Sequence, residues 1–176
     1  MSTVVVDYDP GWPARAAQTI TVLRAAVPGL FLEIEHIGST SILAMPAKPI
    51  IDLMAAVVSL DNVATHDDAL KRTGFKPYHT SMPDRLLYIR NDGDRHTHNL
   101  HVVPADTWET RNERLFRDYI RTDPDLAQRY GDLKRKLAGT SESGNEYVRA
   151  KTALVQEGVD AARDRLGLPR IEVWED

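Results

Sequence analysis

The sequence predicts an α+β protein in which a small mixed β-sheet is packed by helices and followed by a helical C-terminal tail. Three observations predict it. The run "LFLEIEHIG" alternates with strand period, Leu32, Ile34 and His36 on one face and Glu33, Glu35 and Ile37 on the other. "RLLYIRNDGDRHTHNLHVVP" sets two β-rich runs around an Asp-Gly step, a strong hairpin signal. From residue 106 onward the apolar residues recur at helical spacing, without further strand patterning.

The elements follow in order. After a short β-rich start, a helix is expected from about Pro13, a residue tolerated in a first helical turn, and "PG" at Pro28 and Gly29 stops it. Strands are expected near residues 31–37, 50–57, 86–91 and 96–103. "KPIIDLMAAVV" is short and almost wholly apolar, which suits a central strand buried on both faces. "LDNVATHDDALKRTGF" reads as a helix with Asp61 as N-cap and Gly74 as its stop. Three tail helices follow. The first spans "DTWETRNERLFRDYIRT", the second is capped by Asp123 with Pro124 at its first position, and the third carries Ser143 and Glu146 at capping-box spacing. The aromatic residues Trp108, Phe116 and Tyr119 read as core packing. With no repeat, linker or low-complexity tract, residues 1–176 are expected to form a single domain.

Composition excludes several classes of function. The chain has 176 residues, 42% hydrophobic and 27% charged, with a net charge of −4. That charge argues against nucleic acid as a partner. Without cysteine there is no disulfide, thiolate zinc site or thiol nucleophile. No apolar run reaches the ~18 residues that a membrane-spanning helix needs. "MSTVVVDYDPGW" lacks the basic start and apolar stretch of an export signal, so a cytoplasmic location is expected.

The chemistry concentrates in "IEHIGSTSILAMPAKPIIDLM", residues 34–54. Glycine after a strand permits a tight turn and close backbone approach to a ligand. Backbone N–H groups at Gly38 and Ser39, with the hydroxyls of Ser39, Thr40 and Ser41, can cradle a phosphate. Lys48 can add a point charge, and Asp52 can hold a divalent cation through a hard carboxylate oxygen. The alternative is a Gly-Ser turn beside a hydrogen-bonded aspartate.

The block "EHIGSTS…AKPIID" closely resembles the GrpB family, which is placed in the nucleotidyltransferase superfamily. "YDPGWP", "RHTHNLHVV", "LFRDYIR", Tyr147 and Lys151 extend the resemblance over nearly the whole chain. The resemblance implies a nucleotidyltransferase-like fold with Gly-Ser followed by two strand acids spaced one apart, and often a third acid on a neighbouring strand. Asp52 matches the first acid, but Met54 stands at the second, and the candidate neighbouring strand offers His98 and His101 instead of a clear acid. By this resemblance Arg117 and Lys151 are further anion contacts, arginine's planar fork suiting phosphate.

Imidazole suits transition metals, so Asp52 with His98 and His101 is a candidate site for a divalent ion such as Mg, Mn or Zn. Each histidine, His36 and His96 included, can equally hydrogen-bond a backbone or carboxylate group. Three functions compete. The first is an enzyme that binds a nucleotide or other phosphate-bearing small molecule and transfers a nucleotidyl group, with Asp52 and Lys48 as its catalytic residues. The second is a non-catalytic module for the same class of ligand. The third is a His/Asp metal-dependent hydrolase. The GSTS turn is not followed by Gly-Lys-Thr, which argues against a P-loop ATPase.

Overall fold

The structure, a computed structural model, describes residues 4–138 and 145–173. The chain divides into two compact units. One comprises residues 9–41 and 49–109, and the other the N-terminal residues to Tyr8, residues 42–48 and the chain from Thr110 onward.

The first unit is a five-stranded sheet with helices. Helix α1 (Trp12–Ala26) has proline in its first turn, as expected, and buries Trp12, Ala16, Thr19 and Leu23. Strand β1 (Glu33–Ile37) leads through the Gly-Ser turn to β2 (Ile51–Val57). The single helix expected over residues 60–74 is two 3-10 turns and a short α2 (Asp67–Arg72). Ser59, not Asp61, is the cap, accepting the Asp61 N–H at 3.3 Å. Gly74 ends the segment at φ 90°. The sheet continues with β3 (Lys76–Tyr78), β4 (Leu86–Asp92) and β5 (Arg95–Pro104), in the order β1-β2-β5-β4-β3. Only β2 and β5 pair in parallel; the other neighbours are antiparallel. The β4–β5 hairpin turns at Gly93, at φ 60°. Strand β3, which the sequence reading missed, is an exposed edge with Pro77 in it, a position that needs no ladder donor.

Paired residues on neighbouring strands share a face of the sheet. One face carries Ile37, Met54, Ala56 and Val103, which cluster with Trp108. The other carries Leu53, Leu100 and Val102, each fully buried.

The second unit holds the tail helices α3 (Asn112–Ile120), α4 (Pro124–Ala138) and α5 (Asn145–Arg165). The first expected tail helix is split. Residues Ala105–Thr110 form a 3-10 segment that lies in the sheet unit as far as Glu109, and Arg111 adopts extended ψ 123° before α3 begins. Trp108 is therefore in the sheet unit's apolar cluster, whereas Phe116 and Tyr119 pack with Ile120, Leu126, Tyr130, Val155 and Val159. Asp123 caps α4 as expected, accepting from the Leu126 N–H at 3.0 Å. The expected capping box falls on Ser143, outside the described residues.

Candidate functional site

The Gly-Ser turn and Asp52 are built against each other. Gly38 has φ 71°, a conformation glycine adopts without steric cost. A Cβ on Gly38 would lie 2.5 Å from Asp52 Oδ2 and 3.0 Å from its Cβ. The turn backbone thus lies directly on the carboxylate. It is locked from within: the Ser41 hydroxyl donates to the Gly38 carbonyl at 2.6 Å, and the Ser41 N–H does so at 3.1 Å. Thr40 is buried, its hydroxyl 2.8 Å from His36 Nε2 and 3.4 Å from the Ile50 carbonyl it donates to. Thr40 therefore shapes the turn, while Ser39 opens the 3-10 segment half-buried.

The residue opposite Asp52 on β5 is Asn99, which donates through Nδ2 to Asp52 Oδ1 at 2.8 Å. The sequence reading passed over Asn99. Its two-residue spacing from His101 mirrors the spacing of Asp52 and Met54, and that parity is the signal that would have found it. In the same register Met54 lies between Glu35 on β1 and His101 on β5. Met54 itself is fully buried in the apolar cluster under Trp108.

The expected set of Asp52, His98 and His101 is divided by the sheet. His101 is on the Asp52 face, but His98 pairs with Ile51 and Arg90 and points to the α1 side. There its Nε2 is 3.2 Å from the Thr19 hydroxyl and accepts from Arg90 Nη2 at 2.7 Å, while Nδ1 is 2.9 Å from the Thr97 hydroxyl. His96 Nε2 lies 3.1 Å from the His98 carbonyl, the backbone role open to it from sequence. Among the described residues no group of three His, Asp or Glu side chains is arranged to hold a metal ion.

Lys48, Arg117 and Lys151 belong to the other unit. Lys48 is exposed, directly after Ala47, which bridges to Val6. Arg117 is buried on α3 and donates through Nε to Asp118 Oδ1 at 2.8 Å. Lys151 is half-buried on α5. Arg111, Lys134 and Arg163 are also buried in this unit. Lys134 lies 4.6 Å over the Tyr130 ring, and Arg163 donates to the Thr110 carbonyl and to Asn112 Oδ1.

Burial first, then the Arg90 guanidinium, pushes the His98 pKa from 6.5 down to about 4. His98 is thus held neutral in the fold, while an unfolded chain takes up the proton near the ordinary value. The fold keeps its full stability above pH 6.5 and loses His98's share as the pH falls towards 4. A shift of this size corresponds to at most ~3 kcal/mol. Urea midpoints measured in phosphate-free buffer between pH 7 and 4.5 should fall more steeply for the native chain than for His98→Gln. Equal slopes would remove His98 as the cause.

The five-stranded mixed sheet with a Gly-Ser turn seated on a strand aspartate has a nucleotidyltransferase-like α+β fold. The chain belongs to the GrpB family: the family model described as GrpB protein matches residues 2–160. It is 34% identical over 160 residues to UPF0157 protein YqkA of Bacillus subtilis (strain 168), covering 90% of this chain and 47% of that one. The chain thus spans about half the length of YqkA. It is also 27% identical over 188 residues to a dephospho-CoA kinase of Mycolicibacterium paratuberculosis, covering 91% of this chain and 46% of that protein. The crystal structure of conserved protein GrpB from Enterococcus faecalis superposes with a TM-score of 0.82 at 27% identity, covering 93% of this chain and 99% of that one. The Cid1 poly(U) polymerase bound to MgATP shares the fold, with a TM-score of 0.51 at 11% identity over 76% of this chain and 43% of that one.

Proposed function

We propose that the chain binds a nucleotide or other phosphate-bearing small molecule at the Gly38–Ser39 turn, beside Asp52. The observation that carries this reading is the seating of the turn on the carboxylate, so close that no side chain fits at Gly38. A phosphate received by the turn's backbone N–H groups would lie next to Asp52, which would hold one divalent cation that offsets the phosphate's charge. The fold shared with a polymerase bound to MgATP, and the likeness to a dephospho-CoA kinase, support a phosphate-bearing ligand of nucleotide type. Arg117, Lys151 and Lys48 are proposed as anion contacts within the helical unit itself, supported by their charge and by their match to GrpB positions.

The site favours binding over efficient transfer. Two-metal phosphoryl transfer stabilises the attacking and leaving oxygens through carboxylate-held ions. Here Met54 supplies no oxygen, and Asn99 supplies a neutral amide that also occupies one oxygen of Asp52. Nucleotidyl transfer is the second reading, with Asp52 holding a single metal ion.

The test is calorimetry with a nonhydrolysable nucleoside triphosphate and with dephospho-CoA, each with and without Mn²⁺. Binding is expected, with Mn²⁺ strengthening it at least ~10-fold, about 1.4 kcal/mol. Asp52→Asn should remove the Mn²⁺ enhancement while retaining metal-free binding. No binding of either ligand would overturn the reading. Asp52-dependent pyrophosphate release would decide for transfer.

A further inference from the structure

On the face of the sheet opposite Asp52, we infer a second anion site, built on Arg90, His98 and Thr19, that takes a phosphate group. It is independent of the function proposed above.

The Arg90 guanidinium is half-buried and fixed in place. Its stem packs on Gly74, where a Cβ would lie 3.0 Å from Arg90 Cδ, and its head lies 5.2 Å over the Phe75 ring. Phe75 in turn meets His98 edge-on, with ring centroids 6.0 Å apart. Arg90 Nη2 lies 3.3 Å from the Thr19 hydroxyl and 3.1 and 2.7 Å from the two ring nitrogens of His98. Every one of these partners is neutral, and among the described residues no carboxylate pairs with Arg90. A partly buried cation without a counter-charge is costly, and burial accordingly lowers the pKa of Arg90.

The neighbouring basic groups all act on His98 in one direction. Arg15 on α1, His36 on β1, Arg90 on β4 and His96 on β5 all disfavour the protonated form of His98. Asp9 offsets only Arg15, and neither Asp9 nor Asp67 hydrogen-bonds Arg90 or His98. Asp67 accepts the Tyr88 hydroxyl at 2.6 Å, and Asp9 accepts the Gly11 N–H at 2.7 Å and pairs with Arg15. All of Arg90's hydrogen bonds to described residues use Nη2, so Nε and Nη1 remain to meet an anion. A guanidinium, a hydroxyl and a protonatable imidazole match the several acceptor oxygens and negative charge of a phosphate.

The test is NMR of the full chain with labelled histidine, titrated with inorganic phosphate across pH 4–7 and with chloride at equal ionic strength. Bound phosphate favours the imidazolium, so the His98 pKa should rise by a unit or more, and phosphate affinity should strengthen ~10-fold as the pH falls through that range. Chloride should do neither. Arg90→Met should abolish the response and Asp52→Asn should leave it intact. If Arg90→Met fails to fold by circular dichroism, Arg90→Lys decides. It keeps the charge but not the fork, and should weaken phosphate binding several-fold. A His98 pKa indifferent to phosphate, an equal response to chloride, or unchanged affinity in Arg90→Lys would overturn the site. A parallel titration with a nucleoside monophosphate identifies the source: tighter binding than inorganic phosphate assigns a phosphate ester, equal binding the free ion.

Discussion

Replacing Gly38 by alanine is expected to destabilise the protein by about 3 kcal/mol and to abolish ligand binding at the Gly-Ser turn. Two costs add. Holding alanine at the φ of 71° that Gly38 adopts costs ~1 kcal/mol. The new methyl group, 2.5 Å from Asp52 Oδ2, must also displace a carboxylate tied to Asn99 on the central strand pair, a further ~1–3 kcal/mol of overpacking. Gly29 separates the two costs. Its φ is 77°, but nothing lies within 4 Å of a Cβ there. Gly29→Ala should therefore cost only the conformational ~1 kcal/mol and leave binding untouched. Urea unfolding of both variants, with calorimetry of the nonhydrolysable nucleotide, checks this. Equal losses in the two would show that the approach to Asp52 carries no energy.

Met54→Asp is expected to fail as a repair. On paper it restores two acids spaced one apart on a strand. In the structure Met54 is fully buried among Ile37, Ala56, Val103 and Trp108. A carboxylate there loses its hydration and gains the repulsion of Asp52 on its own strand and Glu35 on the next. The expected loss is about 3–5 kcal/mol, with the new carboxyl protonated at neutral pH. Met54→Leu conserves volume and should cost under ~1.5 kcal/mol. Thermal unfolding and a pyrophosphate-release assay check both variants. A Met54→Asp protein of native stability that gains robust nucleotidyl transfer would show that the site retains the geometry for a second metal ion.

The strands were the most legible part of the sequence. Period-two alternation, a short apolar run and the Asp-Gly turn placed β1, β2, β4 and β5 within one or two residues of their positions. Strand β3 escaped because three exposed residues around a proline carry no periodicity. Residues 60–74 misled because Asp61 and Gly74 are good helix punctuation, yet too few apolar residues lie between them to sustain a long amphipathic face. At the candidate site the Gly-Ser turn and Asp52 could be read directly, since both lie in one short stretch. The division between His98 and His101 could not. It depends on which β5 residue stands opposite Asp52, and a one-residue change in register reverses every side chain. Irregular pairing at Arg90 and Asn91 further offsets His96 from His98. Asn99 went unnoticed for the same reason, although its parity with His101 was already there to use.

The route of the chain gives the Gly-Ser turn an unusual mechanical setting. The turn ends at Ser41, and the strand carrying Asp52 is approached from Pro49; between them residues 42–48 belong to the helical unit. That excursion is anchored there by the paired Val6 and Ala47 backbones and by Ile42 and Met45 in the apolar cluster of α3, α4 and α5. The two halves of the candidate site are therefore the two ends of one covalent tether whose middle is fastened to other helices.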